Sequence, residues 1–212
     1  MSRQPARAKD LATADRVLDA AQREFAAVGY ASARLEDIGA RAGIRRPSLL
    51  YHFPSKELLY RAVVERAFDR LGAALAQFMG EGGEFEQQLE AVVRTFAQFL
   101  EAQPGLAQII VRELIDDPTH DGEPSRRGGG VGRTILLERV VPLLTLVEQF
   151  IATRGREHLR PNLPVRAAVV QVAANLLLHS GAGSLAAPLW GPDNHALALA
   201  KLLFLQPPRQ PS

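Results

Sequence analysis

The sequence contains no cysteine among its 212 residues, which excludes disulfides, thiolate catalysis and cysteine-ligated metal sites. Its basic amino end is followed by no apolar run of the kind that a secretory signal requires. No segment alternates as a strand, and no paired carboxylates, nucleophile with base, or metal-ligand spacing occurs. The absences favour a cytoplasmic, non-enzymatic protein without cofactor or metal. The composition is ordinary for a globular chain, with 47% hydrophobic and 23% charged residues.

Apolar residues recur at helical spacing along most of the chain. Leu18, Ala21 and Phe25 form one such stripe, and longer stripes follow it. The pattern predicts an all-α protein of about nine helices. The predicted helices cover residues 11–28, 35–42, 46–53, 55–80, 84–102, 104–116, 131–154, 164–183 and 193–206.

Positive charge is concentrated in the first third of the chain. Residues 1–66 contain 12 Lys and Arg against 8 Asp and Glu, whereas residues 67–212 contain 13 against 15. A difference of this size favours a nucleic-acid partner only weakly, so the placement of individual cations is more informative.

Residues 35–42 and 46–53 are two short helices separated by three residues, which is helix-turn-helix spacing. Gly43 stands where a chain leaving a helix favours the left-handed conformation. Short helices need tertiary packing, so we expect a small core between them. The predicted core residues are Leu18, Phe25, Ile38, Ile44, Leu49 and Phe53.

Cations stand at two consecutive helix starts. Arg45 and Arg46 precede and open one helix, and Lys56 follows Ser55, the predicted cap of the next. Each cation at the positive end of a helix dipole is unfavourable by roughly 0.3–1 kcal/mol. A phosphate backbone across both starts would bind the three cations and the N–H groups together, which favours double-stranded DNA as a partner.

Tyr51 and His52 leave two interpretations open. They are either half-buried aromatics between the third and fourth helices or hydrogen-bond donors, Tyr51 to base edges or phosphate and His52 to phosphate.

Residues 16–64 resemble the DNA-binding region of the tetracycline-repressor (TetR) family. The resemblance is carried by "AGI" (42–44), "SLLYHF" (48–53) and "SKELL" (55–59). It implies a homodimer whose recognition helices enter successive major grooves of an operator. It also implies a carboxy-terminal helical domain that binds a small molecule and releases DNA.

The chain departs from the family pattern at several positions. Ala33 and Arg34 replace the hydroxyl residues usual before the second helix, so its cap is either lost or supplied by Ser32. Arg45 replaces a serine, and Leu50 stands where the family has tyrosine and is placed to touch a thymine methyl. The predicted DNA contacts are Arg34, Arg45, Arg46, Ser48, Leu50, Tyr51, His52 and Lys56.

Three stretches are predicted to lie outside the packed helices. Residues 116–132 are rich in Gly, Pro and charge, which predicts a mobile connection; a phosphate loop is excluded because no strand precedes the glycines and no Gly-Lys-Ser/Thr follows. The predicted organisation is a basic disordered tail (1–10), a DNA-binding domain (11–54), an effector-binding and dimerisation domain (55–206) and a disordered tail (207–212).

The second domain carries no sharp motif, so its pocket is placed only among the four helices from residue 55 to residue 154. The apolar candidate walls weakly indicate an apolar effector, and Arg112 is the only nearby charge for an anion. Most of these residues fit a plain core equally well. The candidate pocket residues are Phe78, Phe96, Phe99, Ile110, Arg112, Leu114, Leu144, Val147, Asn175 and His179.

The helix predicted at 164–183 is apolar except for Gln171, Asn175 and His179, which share one stripe and are expected to be buried in protein rather than in a membrane. The resemblance implies a dimer interface built from this helix and 193–206, and the stripe faces either that interface or the pocket. The sequence thus predicts a ligand-responsive repressor. The alternative is a helical ligand-binding module with lost or altered DNA binding.

Overall fold

The computed structural model describes residues 4–80, 82–115, 131–191, 193 and 195–206. These residues form ten α-helices and one 3₁₀ helix without a strand, and one isolated antiparallel bridge joins Leu159 to Leu205. The all-α prediction is confirmed. The helices are α1 (Gln4–Ser32), α2 (Leu35–Ala42), α3 (Arg46–His52), α4 (Lys56–Gly80), α5 (Phe85–Ala102), α6 (Pro104–Ile115), α7 (Val131–Arg154), α8 (Val165–Gly181), the 3₁₀ helix (Gly183–Leu185), α9 (Ala186–Trp190) and α10 (Ala196–Phe204).

The first helix is longer than predicted. It begins at Gln4, so residues 4–10 are helical where a disordered tail was predicted. Pro5 lies in the first turn, where an N–H group has no intrahelical partner to lose, and the alanines that follow favour a helix. Near its end the helix kinks at Gly29, whose φ of 78° is accessible to glycine without strain.

The carboxy-terminal helices are divided differently from the prediction. α8 ends at Gly181 instead of residue 183, and the short helix α9 was not predicted. α9 was hidden because Pro188 suggests a break, although a helix tolerates proline in its first turn. α10 begins at Ala196 rather than at residue 193.

Two predicted segments fall on residues that the structure does not describe. The connection predicted at 116–132 lies outside the described residues up to residue 130, and its last two positions belong to α7. The tail predicted at 207–212 lies entirely outside them.

The chain forms two compact units. Of the described residues, those within 1–68 and 108–138 form the first unit, and those within 69–107 and 139–212 form the second. The divisions fall inside α4, α6 and α7, whereas we predicted one boundary between residues 54 and 55. The sequence does not reveal such divisions, because the apolar stripe of a helix continues through them.

The first unit contains the core predicted for the helix-turn-helix. Phe25, Ile38 and Leu49 are fully buried, and Leu18 is 9% exposed. Ile44 and Phe53 are only half-buried. The two residues therefore lie at the edge of the predicted core rather than inside it, and Phe53 ends α3 in an extended conformation.

The second unit packs α5, α8 and α10 together. Leu89, Leu100 and Phe204 are among its fully buried side chains, and they belong to one cluster with residues of α4 and α7. Among the described helices, none by itself is long and apolar enough to cross a membrane. α8 taken with residues 183–190 passes on length and composition, but this pair bends by 113°.

Candidate functional site

The turn between α2 and α3 has the geometry predicted from Gly43. Gly43 adopts φ 71° and ψ 30°, and its N–H donates to the Ala40 carbonyl at 3.1 Å. The Ile44 N–H donates to the Gly39 carbonyl at 2.9 Å. These bonds satisfy the last carbonyls of α2, so the chain can begin α3 after three residues. The helix-turn-helix is confirmed.

Arginines precede both helices of this motif. Arg34 and Arg45 are exposed and extended residues immediately before α2 and α3, and neither helix start has a side-chain cap among the described residues. Ser32 is the last residue of α1 and does not cap α2, which resolves the alternative left open by the sequence. The first N–H groups of both helices therefore have no side-chain acceptor in the part of the chain that the structure describes.

Arg46 forms an ion pair with Glu36. Arg46 Nε lies 3.2 Å from Glu36 Oε1, and the two side chains are 56% and 58% exposed. An ion pair this exposed contributes roughly 0–1 kcal/mol. Arg46 can therefore leave Glu36 for a phosphate at little cost in stability.

Lys56 is directed into the first unit. Its Nζ donates to the carbonyls of Ala31 (3.1 Å) and Ala33 (3.2 Å), and it lies 4.7 Å from the centre of the Tyr30 ring. Partial burial lowers the pKa of this ammonium. The unfavourable position that we inferred for a cation at this helix start is thus partly compensated inside the protein by the carbonyls of Ala31 and Ala33.

Ser55 caps α4 as predicted. Its Oγ accepts a hydrogen bond from the Leu58 N–H at 3.1 Å. This bond fixes the start of α4 and thereby the position from which Lys56 reaches Ala31 and Ala33.

The remaining predicted DNA contacts lie on α3. Tyr51 is 78% exposed, so its interpretation as a half-buried residue between helices was wrong. Ser48 is exposed, and Leu50 and His52 are half-buried. The Tyr51 and His52 rings make an edge-to-face contact at 5.3 Å. α3 therefore packs against the domain through the buried Leu49, and its other side chains stay exposed or half-buried.

A buried polar contact joins α4 to α6 within the first unit. The Tyr60 hydroxyl donates to Glu113 Oε1 at 3.1 Å, and the Tyr60 ring lies 5.0 Å from both Phe25 and Tyr30. Burial and the neighbouring Glu113 carboxylate raise the pKa of Tyr60, and burial raises the pKa of Tyr30.

The second unit contains an apolar cavity. It encloses about 570 Å³ of space free of atoms, part of it open to solvent, and every lining residue is apolar. The lining residues are Leu71, Leu75, Leu89, Val92, Val93, Phe96, Leu143, Leu144, Val147, Ile151, Val169, Val172, Ala173, Leu176 and Phe204.

Of the predicted pocket residues, Phe96, Leu144 and Val147 line this cavity. Phe99 packs against the same core but does not line the cavity, and Phe78 lies on α4 outside the lining. The residues missed by the prediction include Leu71, Leu75 and Leu89. All three belong to the periodic apolar stripes, but periodicity does not distinguish a cavity wall from a packed core.

Three predicted pocket residues lie in the first unit. Ile110 is buried, Leu114 is 57% exposed, and Arg112 packs its Cδ against the kink at Gly29 and donates to the Ala27 carbonyl at 3.5 Å. They do not line the apolar cavity, because the division of the chain falls inside α6.

The polar stripe of α8 is less buried than predicted. Gln171 is exposed, and Asn175 and His179 are half-buried. The His179 ring contacts the Trp190 ring edge to face at 5.8 Å and lines a second cavity. Within the described residues, no group of three or more His, Asp or Glu side chains is placed to hold a metal ion.

Residues 17–63 match the sequence profile described as "Bacterial regulatory proteins, tetR family". The match covers α2, α3 and the turn between them. It coincides with the segment that carries the exposed arginines and Tyr51.

Two curated relatives extend this similarity. The transcriptional activator FasR of Mycolicibacterium smegmatis is 34% identical over 103 residues, which are 48% of this chain and 47% of FasR. The transcriptional regulator RutR of Escherichia coli is 44% identical over 62 residues, 29% of each protein. The matches thus span about half or less of the relatives' own length.

The fold of the chain is also similar to that of a solved structure. The structure described as the SmeT–triclosan complex superimposes with a TM-score of 0.67 and 22% identity, covering 92% of each chain. Identity at this level supports the fold alone. The matched profile and the related regulators show that residues 17–63 form a DNA-binding domain of the TetR family of bacterial regulators.

Proposed function

We propose that this protein is a cytoplasmic, homodimeric repressor that binds operator DNA through α2 and α3 and leaves it when a small apolar molecule binds in the second unit. The observation that carries the proposal is the helix-turn-helix, in which Arg34, Arg45 and Arg46 surround two helix starts and remain exposed.

The proposed DNA contacts are of two kinds: contacts to phosphates position the protein, and contacts to base edges recognise the sequence. Arg34, Arg45 and Arg46 are suited to phosphates, because each is an exposed cation beside a helix start. Ser48 and Tyr51 offer hydroxyl groups from the recognition helix to base edges, and the half-buried Leu50 offers an apolar surface for a thymine methyl. Lys56 stabilises the motif by donating hydrogen bonds to the carbonyls of Ala31 and Ala33.

The effector is inferred from the lining of the apolar cavity. A cavity wall without charged or polar side chains binds its ligand by burial of apolar surface rather than by ion pairing. A structure of similar fold is described as the SmeT–triclosan complex, which supports the proposal of a bound effector. An effector that depends on a deeply buried charge does not fit these residues.

α4 connects the two activities. Its residues Leu71 and Leu75 line the apolar cavity, whereas Ser55 and Lys56 at its start bind beside the helix-turn-helix. We infer that a ligand in contact with Leu71 and Leu75 favours a conformation of α4 with different DNA-reading geometry. Release of the operator follows if the ligand binds that conformation more tightly.

A homodimer is proposed through α8 and α10. Val170 and Leu178 on α8 are 43% and 47% exposed, and Leu202 on α10 is 65% exposed. Exposed apolar side chains on two adjacent helices are typical of an interface between copies. Two-fold symmetry would give two recognition helices at half-sites about 34–36 Å apart.

The central experiment is a fluorescence-anisotropy titration with the DNA upstream of the protein's own gene and a scrambled fragment of equal length. The proposal requires saturable binding that is at least about 10³-fold tighter for the upstream fragment. Absence of specific binding to upstream and flanking intergenic fragments would instead favour a ligand-binding module without DNA function. A promoter-reporter assay then separates repression from activation.

A further inference from the structure

A second cavity follows the apolar cavity along the same pair of helices. It is lined by residues of α5, α8, the 3₁₀ helix and α9, and it encloses about 690 Å³ including solvent at its mouth. On α5 the apolar cavity is lined by Leu89, Val92, Val93 and Phe96, and the second cavity is lined by the residues that follow, Ala97, Leu100 and Glu101.

The same order is repeated on α8. Here the apolar cavity is lined by Val169, Val172, Ala173 and Leu176, and the second cavity is lined by Leu176, His179 and Ser180. Both sets advance in steps of three or four residues, which is one face of each helix. The two linings therefore follow one another along α5 and α8 and share Leu176, and we call this pair of adjoining cavities the groove.

The chemistry changes along this groove. The first end is entirely apolar, whereas the second carries the exposed Glu101 carboxylate, the His179 imidazole and the Ser180 hydroxyl. The Ser180 Oγ donates to the Leu100 carbonyl at 3.4 Å, which directs the hydroxyl's proton towards α5. Glu101 remains an acceptor at the mouth, where a ligand group can keep part of its hydration.

We propose that this groove binds one elongated amphipathic molecule, with an alkyl or similarly apolar body in the apolar cavity and a hydrogen-bond donor, a hydroxyl or an amine, beside Glu101, His179 and Ser180. The inference rests on the proposed function and deepens it by naming the class of effector. From Val92 to Glu101 the groove runs about 14 Å along α5, since a helix rises about 1.5 Å per residue. A hydrogen-bond donor is expected at this end of the ligand, because a carboxylate head group would be repelled by the Glu101 carboxylate.

The position of the only tryptophan provides a direct probe. Trp190 contacts His179, which lines the second cavity, whereas the apolar cavity has no tryptophan in its wall. A molecule confined to the apolar cavity leaves the surroundings of Trp190 unchanged. A molecule that spans the groove places its head near His179 and changes the Trp190 emission.

The test titrates the full chain with 1-decanol, decylamine and decanoate below their micelle concentrations, with Trp190 emission and calorimetry as readouts. We expect the two donor ligands to bind about tenfold more tightly than decanoate, and to change Trp190 emission, because only decanoate places like charges together. The variant Glu101→Gln should reduce the preference to about twofold, and the control Glu157→Gln, an exposed carboxylate of the same unit outside the groove, should leave it intact.

The outcomes separate the two levels of the proposal. Equal binding of all three molecules without a change in Trp190 emission would overturn the amphipathic class and leave an apolar effector in place. If calorimetry detects no binding of any of them, the proposed apolar effector fails as well. A preference that survives Glu101→Gln would overturn the role given to Glu101.

Discussion

The Tyr60 hydroxyl donates a hydrogen bond to the Glu113 carboxylate at 3.1 Å, and both side chains are buried. Tyr60 lies on α4 and Glu113 on α6, at positions separated by more than 50 residues in the sequence. A buried carboxylate needs hydrogen-bond donors, because it leaves water on folding. This contact therefore fixes α6 to α4 inside the unit that contains the helix-turn-helix.

Replacing Tyr60 with Phe should destabilise the protein by about 1–3 kcal/mol, because Glu113 loses a buried donor while the ring packing is kept. Urea denaturation followed by circular dichroism measures the change. Tyr51→Phe is the matched control, since Tyr51 is 78% exposed and its replacement should change stability by less than about 0.5 kcal/mol. Equal effects of the two variants would show that the Tyr60 hydroxyl does not stabilise the fold.

Stability should decline at alkaline pH because of Tyr60 and Tyr30. Burial raises the pKa of both phenols in the folded protein. Their contribution is complete below the unfolded pKa of about 10 and is lost as the pH rises above it, because the unfolded chain then releases protons that the folded chain retains. Urea midpoints from about pH 8 to about pH 11 measure this loss. Tyr60→Phe should flatten the decline, and parallel curves for the two proteins would contradict the assignment.

Replacing Arg46 with Ala should weaken operator binding and reduce the slope of log affinity against log salt by about 1, as expected for one lost phosphate contact. Glu36→Gln should have the opposite effect on affinity, since Arg46 no longer divides its time between Glu36 and phosphate. Arg94→Ala is the control, because Arg94 is an equally exposed, ion-paired arginine of the second unit. Anisotropy titrations at several salt concentrations measure the operator affinity and the salt slope of each variant. An unchanged salt slope for Arg46→Ala would exclude the phosphate contact.

Lys56→Met should lower stability by roughly 1–2 kcal/mol, because the carbonyls of Ala31 and Ala33 lose a charged donor and the Tyr30 ring loses its cation. DNA affinity should fall through misplacement of α2, while the salt slope stays near the wild-type value. Lys56→Arg should restore part of the stability. A salt slope reduced as much as in Arg46→Ala would place Lys56 on phosphate instead.

Replacing Leu202 with Glu should shift the protein from dimer to monomer at micromolar concentration. Leu202 is 65% exposed on α10, and a carboxylate buried between two copies would be strongly unfavourable. Leu11→Glu is the control, since Leu11 is 61% exposed and belongs to the first unit, which contains neither α8 nor α10. Analytical ultracentrifugation measures both variants. A wild-type monomer, or a dimer that tolerates Leu202→Glu, would exclude this interface.

Features set by local chemistry were predictable from the sequence. Gly43 ends α2 in the left-handed conformation, and Ser55 caps α4, because each depends on backbone groups within three or four residues. The burial of Ile38 and Leu49 was equally predictable, since helical periodicity places them on one side of short helices that need a core.

Features set by distant neighbours were not predictable. The contact of Lys56 with phosphate stays a prediction, but no local pattern indicated that Lys56 donates to carbonyls more than 20 residues away. Ile110, Arg112 and Leu114 were expected around the effector, yet they belong to the first unit because the division falls inside α6. Nothing in an apolar stripe distinguishes Leu71 and Leu89, which line a cavity, from residues in a filled core.

The sequence by itself determined that the chain is helical, that its first third contains a helix-turn-helix with cations at the helix starts, and that it resembles one family of regulators. These properties follow from periodicity, caps and turn residues, which act over a few positions. Only the tertiary structure decided which cations remain exposed, where α4 and α6 divide between two units, and that Leu176 joins an apolar cavity to one containing Glu101 and His179. Such relationships depend on which helix faces pack together, and that is fixed by the summed burial of many side chains rather than by any local pattern.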